Sequence, residues 1–588
     1  MGNSATDNSY GGRFLVEHID AGQVFVPEGF GAEARAIARV ADRFLREEVL
    51  PRVEEIEGGD HALMQRLMRR AGELGLLGAD VPRVYGGLGL PVSTAALIAE
   101  KLNPQQSFAL THEAHTVIAT LPLLYFGNHD QKSRYLPKLA SGEWIGSFAL
   151  SEANSGSDAL AASTRGVLST DGSHYILNGM KMWITNTGFA QLFTVFGQID
   201  DGERPRFTAF LVERGARGLS FGQEERKLGM RGTSTRRVML DDVHVPVENV
   251  LEVGKGQYAA FCALNMGRFK LEAGAVGGLK ETLTACARYA SERRAFGHHL
   301  GEFGLVKHKL AEMAARTFAL ESMVYRLAGD LDGVFEGIAT DAEDASTHFH
   351  RAAEEFAIEC NIVKVIGSET YSRMTDEAIQ IHGGYGYTEN FPVARAWRDQ
   401  RLLRIGEGAN EIVRLAVVNL ILRRQAQGRL SLPATPLPQP SPCQGEGEDV
   451  LAGATQNVRR LAVWLVDLAS TRLEKELMEA QETVAAVADV VCLVYALDSV
   501  RVRVEKLEAS GHANAGVARL MAEIAARDFV DEAVAGAKSS LDSMEVDDWR
   551  GGEIGTFLSA LERPWANVVR QRREMADVVV ERGGWPLE

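Results

Sequence analysis

The sequence predicts an α+β fold, mainly α, divided into several domains. Three observations carry this. Apolar residues recur at helical spacing from about residue 30 to 140 and again from 255 to 428. Between them lies a block of short β-rich runs broken by Gly, Asp and Pro. A proline-rich stretch then sets off a last helical segment. At 588 residues the chain is also too long for a single hydrophobic core.

Residues 1–30 open with MGNSATDNSYGG and are expected to form a flexible N-terminus. An N-terminal helical domain is expected over 31–143. In it the segment His61–Met68 shows helical apolar spacing, and the pattern breaks at Tyr85-Gly86-Gly87-Leu88-Gly89. A middle β domain is expected over 144–253, from the runs Tyr175–Gly179, Phe193–Phe196, Phe207–Val212 and Val238–Leu240. Long helices return over 254–428. A Pro-rich linker at 429–449 carries LSLPATPLPQPSPCQGEGE, which reads as extended and mobile because proline removes donors and fixes φ. The extension 450–588 is helical: Leu461, Trp464, Leu465 and Leu468 share one face, as do Val484, Val487, Val491 and Val494.

Composition narrows the function. A net charge of −16 with no basic block argues against a nucleic-acid partner. Five scattered cysteines without a CxxC pair suggest neither a disulfide framework nor a metal site, and they suit a reducing compartment. No run reaches membrane-spanning length and no signal-peptide core opens the chain, so a cytoplasmic location is expected.

One carboxylate stands out. Glu407 lies between Gly406 and Gly408, where an apolar run meets a new helix. Glycines leave no Cβ to obstruct a flat substrate, and enclosure pushes a carboxylate toward the pKa of a useful base. Alone, the residue is equally a helix N-terminal acid favoured by the dipole.

Five segments in order change that balance. Phe148-Ala149-Leu150-Ser151-Glu152-Ala153-Asn154-Ser155-Gly156-Ser157-Asp158, Lys181-Met182-Trp183-Ile184-Thr185-Asn186, Arg293-Arg294-Ala295-Phe296-Gly297, Gln380-Ile381-His382-Gly383-Gly384-Tyr385-Gly386 and Gly406-Glu407-Gly408 together resemble the acyl-CoA dehydrogenases over about residues 30–425. The resemblance implies an N-terminal helical domain, a β-barrel-like middle domain and a four-helix bundle. It also implies FAD as cofactor and a fatty acyl-CoA as substrate. Glu407 would be the catalytic base, and electrons would leave to an electron-transfer flavoprotein.

By the same resemblance, Phe148, Leu150, Ser151, Gly156, Ser157, Trp183 and Thr185 would contact FAD within one chain. Arg293, Phe296, Gln380, Gly383 and Gly384 would reach FAD bound mainly by a neighbouring subunit. Ala409 and Glu411 flank the same site, and Ser157, Arg268, Gly406 and Gly408 would meet the substrate. Each has an ordinary alternative: strand Ser and Thr mostly bond locally, a β-domain Trp is commonly core, and Arg268 on a helix is commonly a surface charge. Ala409 and Ala295 stand where relatives carry Thr, which removes hydroxyl contacts worth about 1 kcal/mol each. The extension and Asn265-Met266-Gly267-Arg268-Phe269 look closest to the very-long-chain group. In that group the added domain goes with dimers, where other members form tetramers, and with peripheral membrane contact; Arg459, Arg460 and Trp464 could form such a face here, but a helix packing against its own bundle is the favoured reading on this acidic chain. The competing readings are an acyl-CoA oxidase and a non-catalytic assembly protein on the same fold.

Overall fold

In a computed structural model, residues 10–199, 204–433, 449–547, 549–562 and 567–587 are described. The N-terminal layer contains α1 (Ala32–Phe44), α2 (Val53–Glu57), α3 (His61–Glu73), α4 (Val92–Leu102), α5 (Gln106–Glu113), α6 (Thr120–Phe126) and α7 (His129–Ala140). α3 starts where the Asp60 carboxylate accepts from the Leu63 amide at 2.8 Å, and it buries Leu63, Met64, Leu67 and Met68. α7 opens with a reciprocal capping box between Asn128 and Gln131. Between α5 and α6 the chain widens into one π-helical segment, Ala114–Ala119, a form frequent at functional sites.

The middle region supplies β1 (Gly146–Ala149), β2 (Arg165–Leu168), β3 (His174–Thr185), β4 (Leu192–Ile199), β5 (Arg206–Glu213), β6 (Leu219–Phe221), β7 (Thr235–Pro246) and β8 (Val250–Leu251). They form one sheet in the order β6-β7-β3-β2-β4-β5-β8, with β1 parallel to β4. The β-rich runs meet in its core through Tyr175, Leu177, Phe193, Val195, Phe210 and Val238. The antiparallel β3–β7 ladder slips between Lys181 and Ile184. That irregularity re-aims the side chain of Trp183, which sits at φ +57°.

The helical half comprises α8 (Gly256–Glu292), α9 (Gly304–Phe335), α10 (Ala345–Glu355), α11 (Ala357–His382), α12 (Pro392–Gln400) and α13 (Asn410–Ala426). The extension adds α14 (Val450–Leu473), α15 (Gln481–Ala509), α16 (Ala515–Ser543), α17 (Glu553–Leu561) and α18 (Val568–Arg582). α15 packs against α14, α16, α9 and α13, and all four valines of its stripe are inaccessible to solvent. The expectation that no run reaches membrane-spanning length is corrected here: among the described residues α15 is the one helix long and apolar enough to cross a membrane, and 83% of its apolar window is buried in the protein. Arg414 of α13 donates to Asp489 of α15 at 2.7 Å, so the helix that follows Glu407 is tied to the extension.

A further expectation needs correction. Residues 10–30 are not a free start. Phe14, Leu15, Ile19, Val24 and Val26 are buried. The strap is held by Arg459 on the Phe14 carbonyl (2.7 Å), Arg501 on the Ile19 carbonyl (2.9 Å) and Arg503 on Glu28 (2.6 Å). These apolar residues lack a period and find their partners more than 400 positions away, so local pattern misses them. The face of Arg459 and Trp464 follows the favoured reading and packs inward: Arg459 pairs with Asp498 at 3.0 Å and Trp464 is buried. The reading of an extended linker falls largely on 434–448, outside the described residues.

Candidate active site

The site grows from the turn 405–409. Glu407 adopts φ +56° and Gly408 φ +101°, both left-handed. Gly408 takes this conformation without the Cβ penalty, but Glu407 does not; such a residue typically stores about 1–3 kcal/mol of strain. Two side chains hold the turn. Arg268 of α8 donates through Nε to the Glu407 carbonyl at 2.8 Å, and its Nη1 is fixed by Asn265 (3.0 Å) and Asn361 (2.9 Å). Lys364 of α11 donates to the Gly408 carbonyl at 2.6 Å and to Asn410 Oδ1 at 2.5 Å.

The Glu407 carboxyl faces a cavity of about 1160 Å³. Its Oε2 is enclosed and has no hydrogen-bond partner. Burial pushes its pKa up to about 7, against the pull of Arg268 and Lys364. Across from it α8 presents Gly267, where a Cβ would stand 3.1 Å from Oε2, so glycine is what lets the carboxyl lie against this helix.

Of the residues expected at the site, Phe148, Leu150, Ser151, Gly156, Ser157, Trp183, Thr185, Arg268, Gly406, Glu407, Gly408 and Ala409 all line this one cavity. Trp183 is not core: 56% of it is exposed, on the cavity wall. Arg268 is not a surface charge; its guanidinium is committed to the turn that carries Glu407. Arg293, Phe296, Gln380, Gly383, Gly384 and Glu411 lie outside the cavity, and all are exposed in the single chain. The two glycine-containing segments nonetheless meet, with the Arg293 guanidinium 5.9 Å from the centre of the Tyr385 ring. Phe296 is 94% exposed at φ +52°, which leaves a large apolar ring in water.

The loop Ser151–Gly156 is fixed by a buried pair. Lys181 of β3 donates to Glu152 at 2.7 Å and to the Leu150 carbonyl at 3.0 Å. Burial would raise the Glu152 pKa, but Lys181, Ser163 and Thr164 hold it at about 2. Lys181→Met leaves Glu152 buried without its cation, which typically costs about 3–5 kcal/mol. The expected outcome is a lower melting midpoint and weaker flavin retention. Because the Glu152 pKa is depressed, its contribution is present above the ordinary carboxylate range and is lost as pH falls toward 2. A Lys181→Met protein that melts and holds flavin like the parent contradicts this role.

Sequence reasoning missed Lys364, Asn361 and Glu113. Glu113 of α5 lines the cavity, and its Oε1 has no partner. Burial pushes it up to about 8; Lys270 opposes this and Glu407 adds to it. Within helices these residues read as ordinary polar positions, and only the packing of α5, α8 and α11 brings them to Glu407.

Comparison with known proteins completes the site. Family models for the acyl-CoA dehydrogenase N-terminal, middle and C-terminal domains match residues 31–143, 147–243 and 254–422, and a further acyl-CoA dehydrogenase C-terminal domain model matches 457–563. The chain belongs to the acyl-CoA dehydrogenase family. A probable acyl-CoA dehydrogenase of Bacillus subtilis is 41% identical over 600 residues, covering 99% of each chain. The human mitochondrial very long-chain specific acyl-CoA dehydrogenase is 39% identical over 353 residues, 59% of this chain and 51% of that protein, so this chain spans about half its length. A crystal structure of an acyl-CoA dehydrogenase from Bacillus anthracis complexed with FAD superposes with a TM-score of 0.92 at 39% identity, covering 98% of this chain and all of that one. As an acyl-CoA dehydrogenase the protein is an FAD-dependent flavoenzyme. The cavity suits that cofactor. It carries an uncovered indole on the β3 irregularity, hydroxyls at Ser151 and Thr185, and a volume of about 1160 Å³.

Proposed function

We propose that the protein dehydrogenates long-chain fatty acyl-CoA to trans-2-enoyl-CoA, as in fatty acid β-oxidation, with Glu407 as base. The observation that carries this is the unpartnered Glu407 carboxyl on the cavity wall, poised near neutrality. FAD, when bound, supplies the acceptor for the β hydride. Phe148, Leu150, Ser151, Trp183 and Thr185 would hold its ring, with the hydroxyls of Ser151 and Thr185 bonding flavin heteroatoms. Glu407 takes the α proton. Arg268 orients the turn behind it, and Ser157, Gly406 and Gly408 leave room for the thioester.

Leu110, Ala114, Val117, Ile118, Leu264 and Leu271 give the cavity apolar walls suited to an alkyl chain. Likeness to the very-long-chain relative, though over part of its length, favours a long one. Arg293, Phe296, Gln380, Gly383 and Gly384 would complete the FAD site of a second copy in a homodimer, and the exposed Phe296 would be covered there. Glu411, at the solvent end of α13, would act at most on the rim. An electron-transfer flavoprotein would reoxidise the enzyme.

A panel of acyl-CoAs from short to very long, assayed with an artificial acceptor and for hydrogen peroxide under air, tests the reading. Activity peaking on long chains with little peroxide supports it. Peroxide equal to substrate consumed marks an oxidase, and absent flavin reduction with every thioester marks a non-catalytic relative.

A further inference from the structure

We propose that Lys364 is a positioning residue for the base: with Arg268 it pins two consecutive carbonyls of the left-handed turn that carries Glu407. This rests on the reading of Glu407 as the base. A left-handed non-glycine residue persists only where its surroundings over-determine it. Here two cations on two helices do so, Arg268 of α8 on the Glu407 carbonyl and Lys364 of α11 on the next one.

The ammonium is itself oriented. Asn410 Oδ1 accepts from it at 2.5 Å, while the Asn410 amide donates to Ser368 (3.0 Å) and Glu369 (2.9 Å). Among the described residues Lys364 makes no ion pair with a carboxylate. The acid facing it from α8, Glu272, is buried with both oxygens unpartnered, and burial raises its pKa well above the ordinary range against the pull of Lys364. Glu369 is engaged by Arg404 and Arg414. The hydrogen bonds of Lys364 go to the turn itself, at the Gly408 carbonyl, and to Asn410 at the start of α13.

The groups facing Glu407 are Arg268, Lys364 and, from α5, Glu113. Arg268 stays charged throughout. Glu113 titrates near 8, so Glu113→Gln is run in parallel to remove its contribution. Burial lowers Lys364 to about 8, so its charge fades on the alkaline side.

The test uses flavin-loaded Lys364→Met, Lys364→Gln and Lys364→Arg. Flavin reduction at saturating acyl-CoA is followed across neutral and mildly alkaline pH. The Glu407 carboxylic-acid stretch is followed by infrared difference spectroscopy, with Glu407→Gln as the assignment control. Lys364→Met is expected to retain FAD yet reduce it about 10- to 100-fold more slowly, the scale of a small misplacement at a reacting centre. Both its rising limb and the Glu407 infrared titration move to higher pH, because a cation that favoured the carboxylate is gone. Lys364→Arg restores most of the rate and removes the fall above about pH 8, since guanidinium keeps its proton. If the Met protein does not fold, Lys364→Gln carries the test: it can still donate to Gly408 but has no charge, so its rate is partly kept and its limb is still raised.

Wild-type rates with an unmoved Glu407 titration overturn the proposal. So does a rate loss that follows flavin loss in every variant. If Glu407→Gln itself reduces flavin normally, the base reading fails, while the infrared titration still decides whether Lys364 acts on Glu407.

Discussion

Glu407→Gln is expected to slow flavin reduction by acyl-CoA about 10²- to 10⁴-fold, the usual scale for losing a general base. Glutamine keeps the size of the side chain but cannot accept a proton at neutral pH. The turn should survive, because Arg268 and Lys364 grip main-chain carbonyls that the substitution leaves in place. FAD content and acyl-CoA affinity should therefore stay near those of the parent, and the loss should fall on the chemical step. In the parent, the rate should rise with pH through about 7, because burial holds the Glu407 proton that far up and only the carboxylate is a base. That rising limb should vanish in the glutamine variant. Stopped-flow reduction across pH measures both effects; a variant with the parental rate and limb removes Glu407 from the chemistry.

How much of this was legible depended on the length scale of each feature. Glu407, Trp183 and the Ser151 loop lie in short stretches whose residue types carry the resemblance, and all three line one cavity. The β domain was legible because β-rich runs and the Gly, Asp and Pro that break them are local signals. What local pattern could not carry was pairing across hundreds of positions. Phe14 and Ile19 looked like part of a polar start, and only α14 and α15 give them a place to be buried. Trp464 and Arg459 read as an amphipathic face, and the carboxylate that turns the arginine inward lies on another helix. Lys364 and Glu272 were invisible for the same reason: their meaning lies in the approach of α8 to α11. There Gly367 lets Glu272 lie close against α11, since a Cβ would meet its carboxyl.

That same long-range pairing makes Asp498 the residue whose loss should most damage stability. Its carboxylate is buried and accepts from arginines on three helices. Arg326 of α9 reaches Oδ2 at 3.0 Å, while Arg459 of α14 and Arg501 of α15 reach Oδ1 at 3.0 and 2.8 Å. One anion thus joins the helical core to the extension, and two of its arginines also hold the strap through the Phe14 and Ile19 carbonyls. Burial would raise its pKa, but the three cations hold it below the ordinary carboxylate range. Its contribution is therefore present above that range and lost as pH falls through the depressed value. Asp498→Asn keeps the shape and removes the charge, leaving three guanidiniums close together with Glu505 the remaining carboxylate on Arg501. Breaking a buried network from one side typically costs about 3–5 kcal/mol, because the unpaired charges stay desolvated. The expected result is a clearly lower melting midpoint, with the strap and α14 becoming sensitive to protease before the β domain. Flavin should follow, because α13 leans on α15 through Arg414 and Asp489, and the turn bearing Glu407 leads into α13. A melting midpoint, protease pattern and flavin content like those of the parent would show that the extension is held by its apolar faces alone and that the network contributes nothing to the union.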